Sequence, residues 1–417
     1  MSAFLLRLHY FFKIFGLSTM SVEKLSKFNR YRFATSRKDL AYNVALILGF
    51  LLIGSYYTRV TWLMDYEGRS LFEKTWEVFD IVFAFSVSIT LYVLYCARQR
   101  RIVRLADRFY ALARSLAGNS DELSKAITRR TRRTFVTYLI LYAIFTISAQ
   151  PAAYINGYLD HAVMAGLALN FILLTVLLQY CLVLICLVEM FAMANCHLEG
   201  IFRRSSHKSY IEPRFKSSSN FLNFELYKNQ DSQFSYHRSQ YFSLCDLSQD
   251  LSDFFGLPML AVVSFIFFLI IFAIYYPART VINQVVIMGY TTFFFYCQTW
   301  FGFLATGYLL VVLTNSTARI GKEKERTAEI IIKWLAIVDN AATEKQVCVA
   351  RDKSVMPCIV SNRVFTLQLD QFYKYLQSKN VQFSVFGLFK LDQSLLLSIV
   401  SSTTTYLVIV LQFRETK

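Results

Sequence analysis

The sequence predicts an all-α polytopic membrane protein. Seven transmembrane helices are expected, with the N-terminus cytoplasmic, the C-terminus extracellular and a cytosolic helical anchor region. Three observations carry this prediction. Of the 417 residues, 55% are hydrophobic and only 17% charged, where soluble domains carry about a quarter charged residues. The apolar residues run continuously over about 20 positions, the span of a bilayer, and do not alternate as they would in a β-barrel. A helix satisfies its own backbone in lipid, so these runs read as helices. Finally, the 44 Lys and Arg are distributed very unevenly between successive loops.

Taken in order, residues 1–39 hold 8 of the 44. Arg7, His9 and Lys13 interrupt MSAFLLRLHYFFKIFGL before a signal peptide of ordinary length develops. The segment reads as an amphipathic helix lying at the membrane surface. The first two spans are Leu40–Tyr57 and Val78–Tyr95. The loop 96–134 holds 11 cations, among them Arg98, Arg100, Arg101, Arg104, Arg129, Arg130, Arg132 and Arg133, and reads as solvated, lipid-facing helix ends. Phe135–Ala153 and Val163–Met190 follow, joined by a turn with no cation. The polar stretch 203–240 reads as a flexible connector. Leu257–Tyr276 and Val281–Leu313 are the fifth and sixth spans. The fourth and sixth exceed a bilayer, so their helices are expected to continue into the cytosol.

Beyond them, KEKERTAEIIIKWLAIVDNAATEK places Ile330, Ile331, Trp334, Leu335 and Val338 at helical spacing. A second patterned stretch is VFTLQLDQFYKYLQSKN. Both are too charged to be spans and are expected to pack as a cytosolic bundle. The last span is Leu395–Phe413. The expected division is 1–39, 40–313, 314–392 and 393–417.

Alternate compartments hold 37 and 6 of the cations that flank these spans, with Lys390 standing before the last one. Leaving out the two longest loops keeps the ratio at 19 against 6. Positive loops mark the cytoplasmic side, so the N-terminus is inside and, after seven spans, the C-terminus outside. That is the reverse of a G-protein-coupled receptor. The net charge of +16 is explained by cytoplasmic loops facing anionic lipid, and no nucleic-acid partner is implied. Cys96, Cys196, Cys245, Cys348 and Cys358 fall on the cytosolic side and Cys181, Cys186 and Cys297 within spans, so no disulfide is expected. The five His are scattered, and no metal-binding or nucleotide-binding motif is present. No catalysis, metal or cofactor is expected. Glu189, near the inner end of its span, reads as a helix-end salt bridge; Asp80, near the outer end of another, as a possible ligand contact.

The last span is the unusual one, because it carries Ser401-Ser402-Thr403-Thr404-Thr405. Polar side chains in lipid are costly unless they face protein or water. On a helical wheel Ser394, Ser398, Ser401, Ser402, Thr405 and Gln412 share an arc of about 100°, together with Ile409. A water-lined path would need such a stripe. Hydrogen bonding between helices is the competing role, and it is the one expected for Thr403 and Thr404, which lie off the stripe.

The same span contains TYLVIVLQF, Thr405 to Phe413, which resembles the TYhhhhhQF signature of insect gustatory receptors, h being hydrophobic. Phe386-Gly387-Leu388-Phe389-Lys390-Leu391-Asp392 resembles the segment that precedes it in that family. The resemblance implies a ligand-gated cation channel in the plasma membrane of sensory neurons, related to insect odorant receptors. It further implies a homo- or heterotetramer with other gustatory receptor subunits. The last helix of each subunit would line one pore, the cytosolic helices would hold the subunits together, and a small-molecule tastant would bind among the first six spans.

Carried onto this chain, Gln412 and Phe413 take the outer constriction, with Ile409 one turn below. Thr405, Ser402, Ser401, Ser398 and Ser394 continue the path inward. Pocket candidates in the outer halves are Tyr57, Trp62, Asp80, Phe83, Gln150, Tyr154, Asn170, Tyr275, Asn283, Gln284 and Tyr290. Aromatic walls with few polar groups suit a small organic molecule. The scarcity of acids favours a bitter plant compound, with a sugar second. An odorant-receptor-like channel shares the plan. A G-protein-coupled receptor or a transporter with inverted repeats fits the sequence less well.

Overall fold

The computed structural model describes residues 3–25, 30–63, 71–118, 121–155, 160–211, 220–282, 290–349, 356–379, 382–385 and 387–415, with side chains described over slightly less of several helices. Almost all of it is helix. The elements are α1 (Ala3–Ile14), β1 (Met20–Leu25), β2 (Arg30–Thr35), α2 (Arg37–Leu63), α3 (Leu71–Ala97), α4 (Gln99–Ala117) and α5 (Glu122–Ile155). They continue as α6 (Asp160–Ile211), α7 (Asn220–Ile282), α8 (Tyr290–Val349), α9 (Met356–Ser378), β3 (Ser384–Val385), β4 (Phe389–Lys390) and α10 (Gln393–Glu415). Among the described residues five helices are long and apolar enough to cross a membrane, within α2, α3, α6, α7 and α8. The two other expected spans lie in α5 and α10.

The expected break between the fifth and sixth spans is displaced. The sequence placed the connection after Tyr276, yet α7 runs through Pro277 to Ile282 and α8 starts at Tyr290, so Val281 belongs to α7. Proline is a weaker stop in a packed or lipid-embedded helix, where neighbouring groups re-satisfy the freed carbonyl. Three helices also outrun any bilayer. α6, α7 and α8 contain 52, 63 and 60 residues, about 78, 95 and 90 Å at 1.5 Å per residue.

Those extensions take up the two ends of the flexible connector expected at 203–240: residues 203–211 belong to α6 and 220–240 to α7, while 212–219 lie outside the described residues. Tertiary packing supplies what the polar composition concealed. Phe234 and Tyr241 of α7 are fully buried. Phe234 packs at 5.3 Å from the Trp334 ring of α8, and Trp334 also meets Phe202 of α6 and Phe365 of α9, each at 5.6 Å. Beside this cluster the Thr327 hydroxyl lies 2.6 Å from Asn195 Oδ1 and 3.1 Å from the Tyr241 hydroxyl. Asn195 Nδ2 donates to the Glu323 carbonyl at 2.8 Å. Four helices are thus tied below the apolar bundle by one aromatic cluster and one hydrogen-bonded network.

The N-terminal segment also differs from expectation. It does not simply lie on a membrane surface. Leu8, Phe12 and Leu17 are buried in the core, and Phe11 meets the Phe135 ring edge-on at 5.0 Å. Tyr92 and Asn43 donate to the carbonyls of Phe15 and Gly16 at 2.9 and 2.7 Å. Gly16 holds φ 70°, and a Cβ there would stand 2.7 Å from Tyr92 and Leu46, so the docked turn requires glycine. His9 is buried with Nδ1 3.1 Å from the Ser18 hydroxyl. Burial, then the charge of Lys13, pulls its pKa down to about 4, so the imidazole is neutral near pH 7. An apolar helix face fits lipid or protein equally well, and the aromatic partners that decide the matter, Tyr92 and Phe135, sit far along the chain, Tyr92 being 77 residues from Phe15.

Glu189 is buried and pairs with Arg130 across α5 and α6, as its helix-end position suggested. Arg130 itself is 45% exposed, so its removal costs about 1–3 kcal/mol, chiefly by leaving the buried Glu189 carboxylate without its partner. Arg130→Ala should therefore lower the thermal unfolding midpoint more than Arg129→Ala, which leaves the Arg130–Glu189 pair intact. The double change Arg130→Ala, Glu189→Gln should recover most of the loss. Size-exclusion thermal stability of the detergent-purified protein checks both.

Candidate functional site

Within the segment FGLFKLD, Gly387–Asp392 form the foot of α10, Phe386 lying outside the described residues. Ser384–Val385 and Phe389–Lys390 pair antiparallel, the Leu388 N–H donates to the Val385 carbonyl at 2.9 Å, and Gly387 turns the chain at φ 73°. The hairpin is held from below, since Val385 and Leu391 are buried and the Thr317 hydroxyl of α8 donates to the Leu391 carbonyl at 2.5 Å. Asp392 then caps the helix: its Oδ1 accepts from the Ser394 N–H at 2.9 Å and from the Ser394 hydroxyl at 2.5 Å. The Ser394 hydroxyl bond, more than any other contact, holds the Asp392 carboxyl below the usual carboxylate range, so it stays ionised.

Above this foot α10 has three faces. Leu395, Ile399 and Thr403 are buried against the rest of the chain, with α7 and α8 as the helices behind them. Tyr406 extends this side, edge-on to Phe267 of α7 at 5.7 Å. Ser394, Ser398, Ser401 and Thr405 are exposed and Ser402 partly so. On the wheel they lie about 110° from the buried face. Leu397, Val400 and Val408 form a third, exposed apolar face. The hydroxyl face and the packed face are therefore different faces, which the residue pattern alone did not decide.

Ser398 and Thr405 donate to the Ser394 and Ser401 carbonyls at 2.9 and 3.1 Å. This back-bonding keeps the hydroxyls satisfied whatever medium lies outside. Helix-to-helix bonding, expected for Thr403 and Thr404, is not what is found. Thr404 donates to Val400 of its own helix at 2.9 Å. Thr403 is buried, and its hydroxyl has no partner among the described residues. Ile409, Gln412 and Phe413 lie in α10, but their side chains are outside the described residues.

The pocket candidates divide similarly. Tyr57 is half-buried and Trp62 exposed, both on α2. Asp80 and Phe83 are half-buried on α3, where the Phe83 ring stacks on Phe79 at 5.8 Å and meets Phe268 of α7 at 5.0 Å. Asn170, on α6, presents a buried Oδ1 with no partner among the described residues. The side chains of Gln150, Tyr154, Tyr275 and Tyr290, and residues Asn283 and Gln284 altogether, lie outside the described residues. Phe268 was not anticipated; its ring contacts, not any local pattern, bring it beside Phe83. A cavity of about 520 Å³ exists elsewhere, among α1, α4, α5, α6 and α7, and contains none of these candidates.

These features define a polytopic helical membrane protein with a four-helix extension beyond its apolar bundle and a terminal helix that turns a hydroxyl face outward. A family model described as 7tm chemosensory receptor matches residues 5–347 and 355–417. The chain belongs to the 7tm chemosensory receptor family, and the resemblance to insect gustatory receptors is shown. It is similar to gustatory receptor 28a of Drosophila melanogaster, 25% identical over 173 residues, 42% of this chain and 34% of that one. It is also similar to gustatory receptor 28b of the same organism, 24% identical over 176 residues, 41% of this chain and 32% of that one. The chain thus spans about a third of the length of the curated relatives it matches. In fold it is similar to the insect olfactory receptor OR5 from Machilis hrabei, with TM-score 0.53 and 11% identity, covering 98% of this chain and 97% of that one.

Proposed function

We propose that this chain is a subunit of a ligand-gated cation channel, opened by an extracellular small organic molecule of the bitter-compound type. In this reading seven helices cross the plasma membrane of a sensory neuron with the N-terminus inside. Residues 40–313 form the ligand-binding domain, residues 314–392 carry anchor helices that join four subunits, and 393–417 supply the pore. The observation that carries it is the division of α10: its apolar face is buried in the chain while the hydroxyls from Ser394 to Thr405 point away from it. Four such faces around an axis would line a wet path, and the exposed apolar side of Leu397 and Val400 would meet a neighbouring subunit or lipid. The ionised Asp392 at the foot of the path favours cations. Among the spans, the Phe83 and Phe268 rings would supply aromatic walls for a small ligand, and Asn170 Oδ1, which has no partner among the described residues, is a candidate acceptor.

The test is expression in a cell with G-protein signalling blocked, recording current during rapid application of bitter compounds and sugars. A fast cation current is expected, with bitter compounds more effective; a current that needs G proteins sinks the reading. Ser398→Leu should then cut unitary conductance several-fold, because replacing a hydroxyl ring by an apolar one raises the barrier by about 1 kcal/mol. Unchanged conductance with normal surface expression would remove Ser398 from the path.

A further inference from the structure

The outward face of α5 changes character within one turn. Lys125, Arg129, Arg132 and Arg133 are exposed, and above them so are Val136, Ile140, Ile144 and Ile147. Cations giving way to exposed aliphatic residues place a membrane boundary near residue 134. The cavity of about 520 Å³ straddles that level. On α6 its wall includes Gln179 and Leu182, which lie on the apolar side of the Arg130–Glu189 pair. On α5 it reaches down to Leu123, about 16 Å below the boundary at 1.5 Å per residue.

Its volume suits a small organic ligand, and its deeper walls are apolar and aromatic, among them Phe12, Phe109, Phe254 and Phe255. Its few polar groups are largely committed: His9 to Ser18, and Tyr95 to Gln179 at 2.6 Å. Asp121 and Ser124 line both this cavity and the outward groove that bears Lys125, Arg129, Arg132 and Arg133. An apolar chamber that reaches up past the boundary on α6 therefore opens, on the charged side of it, beside a surface where four cations outnumber the one carboxylate, Asp121.

We propose that this cavity binds the acyl chain of an anionic amphiphile, with the chain between Phe109 and Phe254 and the acidic head at Lys125 and Arg129. The charge at the mouth selects the anion, and the apolar interior selects the chain. The site lies outside the pore and the outer pocket. It rests on the membrane orientation proposed above but not on gating.

The test is photolabelling of the purified receptor in nanodiscs of neutral phosphatidylcholine, with adducts mapped by mass spectrometry. The probes are palmitate, phosphatidylserine and phosphatidylcholine, each carrying a diazirine on the acyl chain. Adducts on Phe109 and Phe254 are expected with an anionic probe at about tenfold the yield of the neutral lipid. Labelling by palmitate identifies a free fatty acid, and labelling by phosphatidylserine identifies a membrane lipid. Ala113→Trp, which fills the cavity, should abolish those adducts while leaving adducts on Ile140 unchanged. Should that variant misfold, excess unlabelled oleate must displace the label from the natural protein. Adducts confined to outward residues such as Ile140 and Ile147, equal labelling by the neutral lipid, or failure of oleate to compete overturns the proposal. Because labelling needs no current, such a failure leaves the channel reading standing.

Discussion

Phe413→Ala is expected to produce a standing cation current with no ligand present. Position 413 follows Gln412 in the last turns of α10, and on the wheel it borders the stripe that includes Ser402 and Ile409. In a tetramer four phenyl rings there would form a hydrophobic constriction that closes by dewetting. Ligand binding would turn or spread the helices, moving Phe413 off the axis and bringing Gln412 towards it. The magnitude can be bounded. Taking a channel from 1% open to half open requires half of the roughly 5.5 kcal/mol that carries a two-state equilibrium from 1:99 to 99:1. Truncating a packed phenylalanine removes about 3 kcal/mol, so one substitution of this kind suffices when its packing exists only in the closed state. The measurement is holding current in voltage clamp, normalised to surface biotinylation. A silent mutant at normal surface density would show that the gate lies elsewhere on α10.

Trp334→Ala should be the most damaging single change in the four-helix extension. Trp334 is 4% exposed and its ring joins Phe202, Phe234 and Phe365 from three other helices. Removing a buried tryptophan costs about 3–5 kcal/mol, since the cavity left behind cannot collapse across four rigid helices. Loss of folded receptor is expected, visible as a collapsed monodisperse peak in size-exclusion chromatography and little surface protein. Trp334→Phe provides the contrast. The indole N–H is buried without a partner among the described residues, so removing it forfeits no hydrogen bond, and a phenyl ring preserves much of the stacking. Near-normal yield is therefore expected from Trp334→Phe. Equal losses from both substitutions would mean that the polar network of Thr327, Asn195 and Tyr241, not the aromatic cluster, holds these helices together.

Some of this was readable in the chain because it depends on neighbours in sequence. Continuous apolar runs specify helices in lipid whatever lies beside them, and each of the seven runs falls wholly or mostly within a helix. The stripe from Ser394 to Thr405 follows from helical period alone, and so does the apolar face of Ile330, Ile331 and Trp334. The Arg130–Glu189 pair was half legible: Glu189 announced a need for a partner, but which of the arginines of the 96–134 stretch would meet it depended on the approach of α5 to α6. Residues 220–240, expected to be part of a flexible connector, are helical instead, because Phe234 finds its partners in α8 and α9. The connection after Tyr276 was misplaced because a break at Pro277 is not obligatory where a helix is supported from outside.

The sequence by itself determined the class of the molecule, its charge asymmetry and the existence of a hydroxyl face on its last helix. These follow from local composition and the 100° step of a helix. Only the tertiary structure decided that this face turns away from the chain's own core, that the N-terminal helix docks in the bundle, and that a cavity opens beside the cations of α5. Those outcomes rest on contacts between residues far apart along the chain, where burial and complementary shape, not periodicity, select one arrangement among many that the same pattern allows.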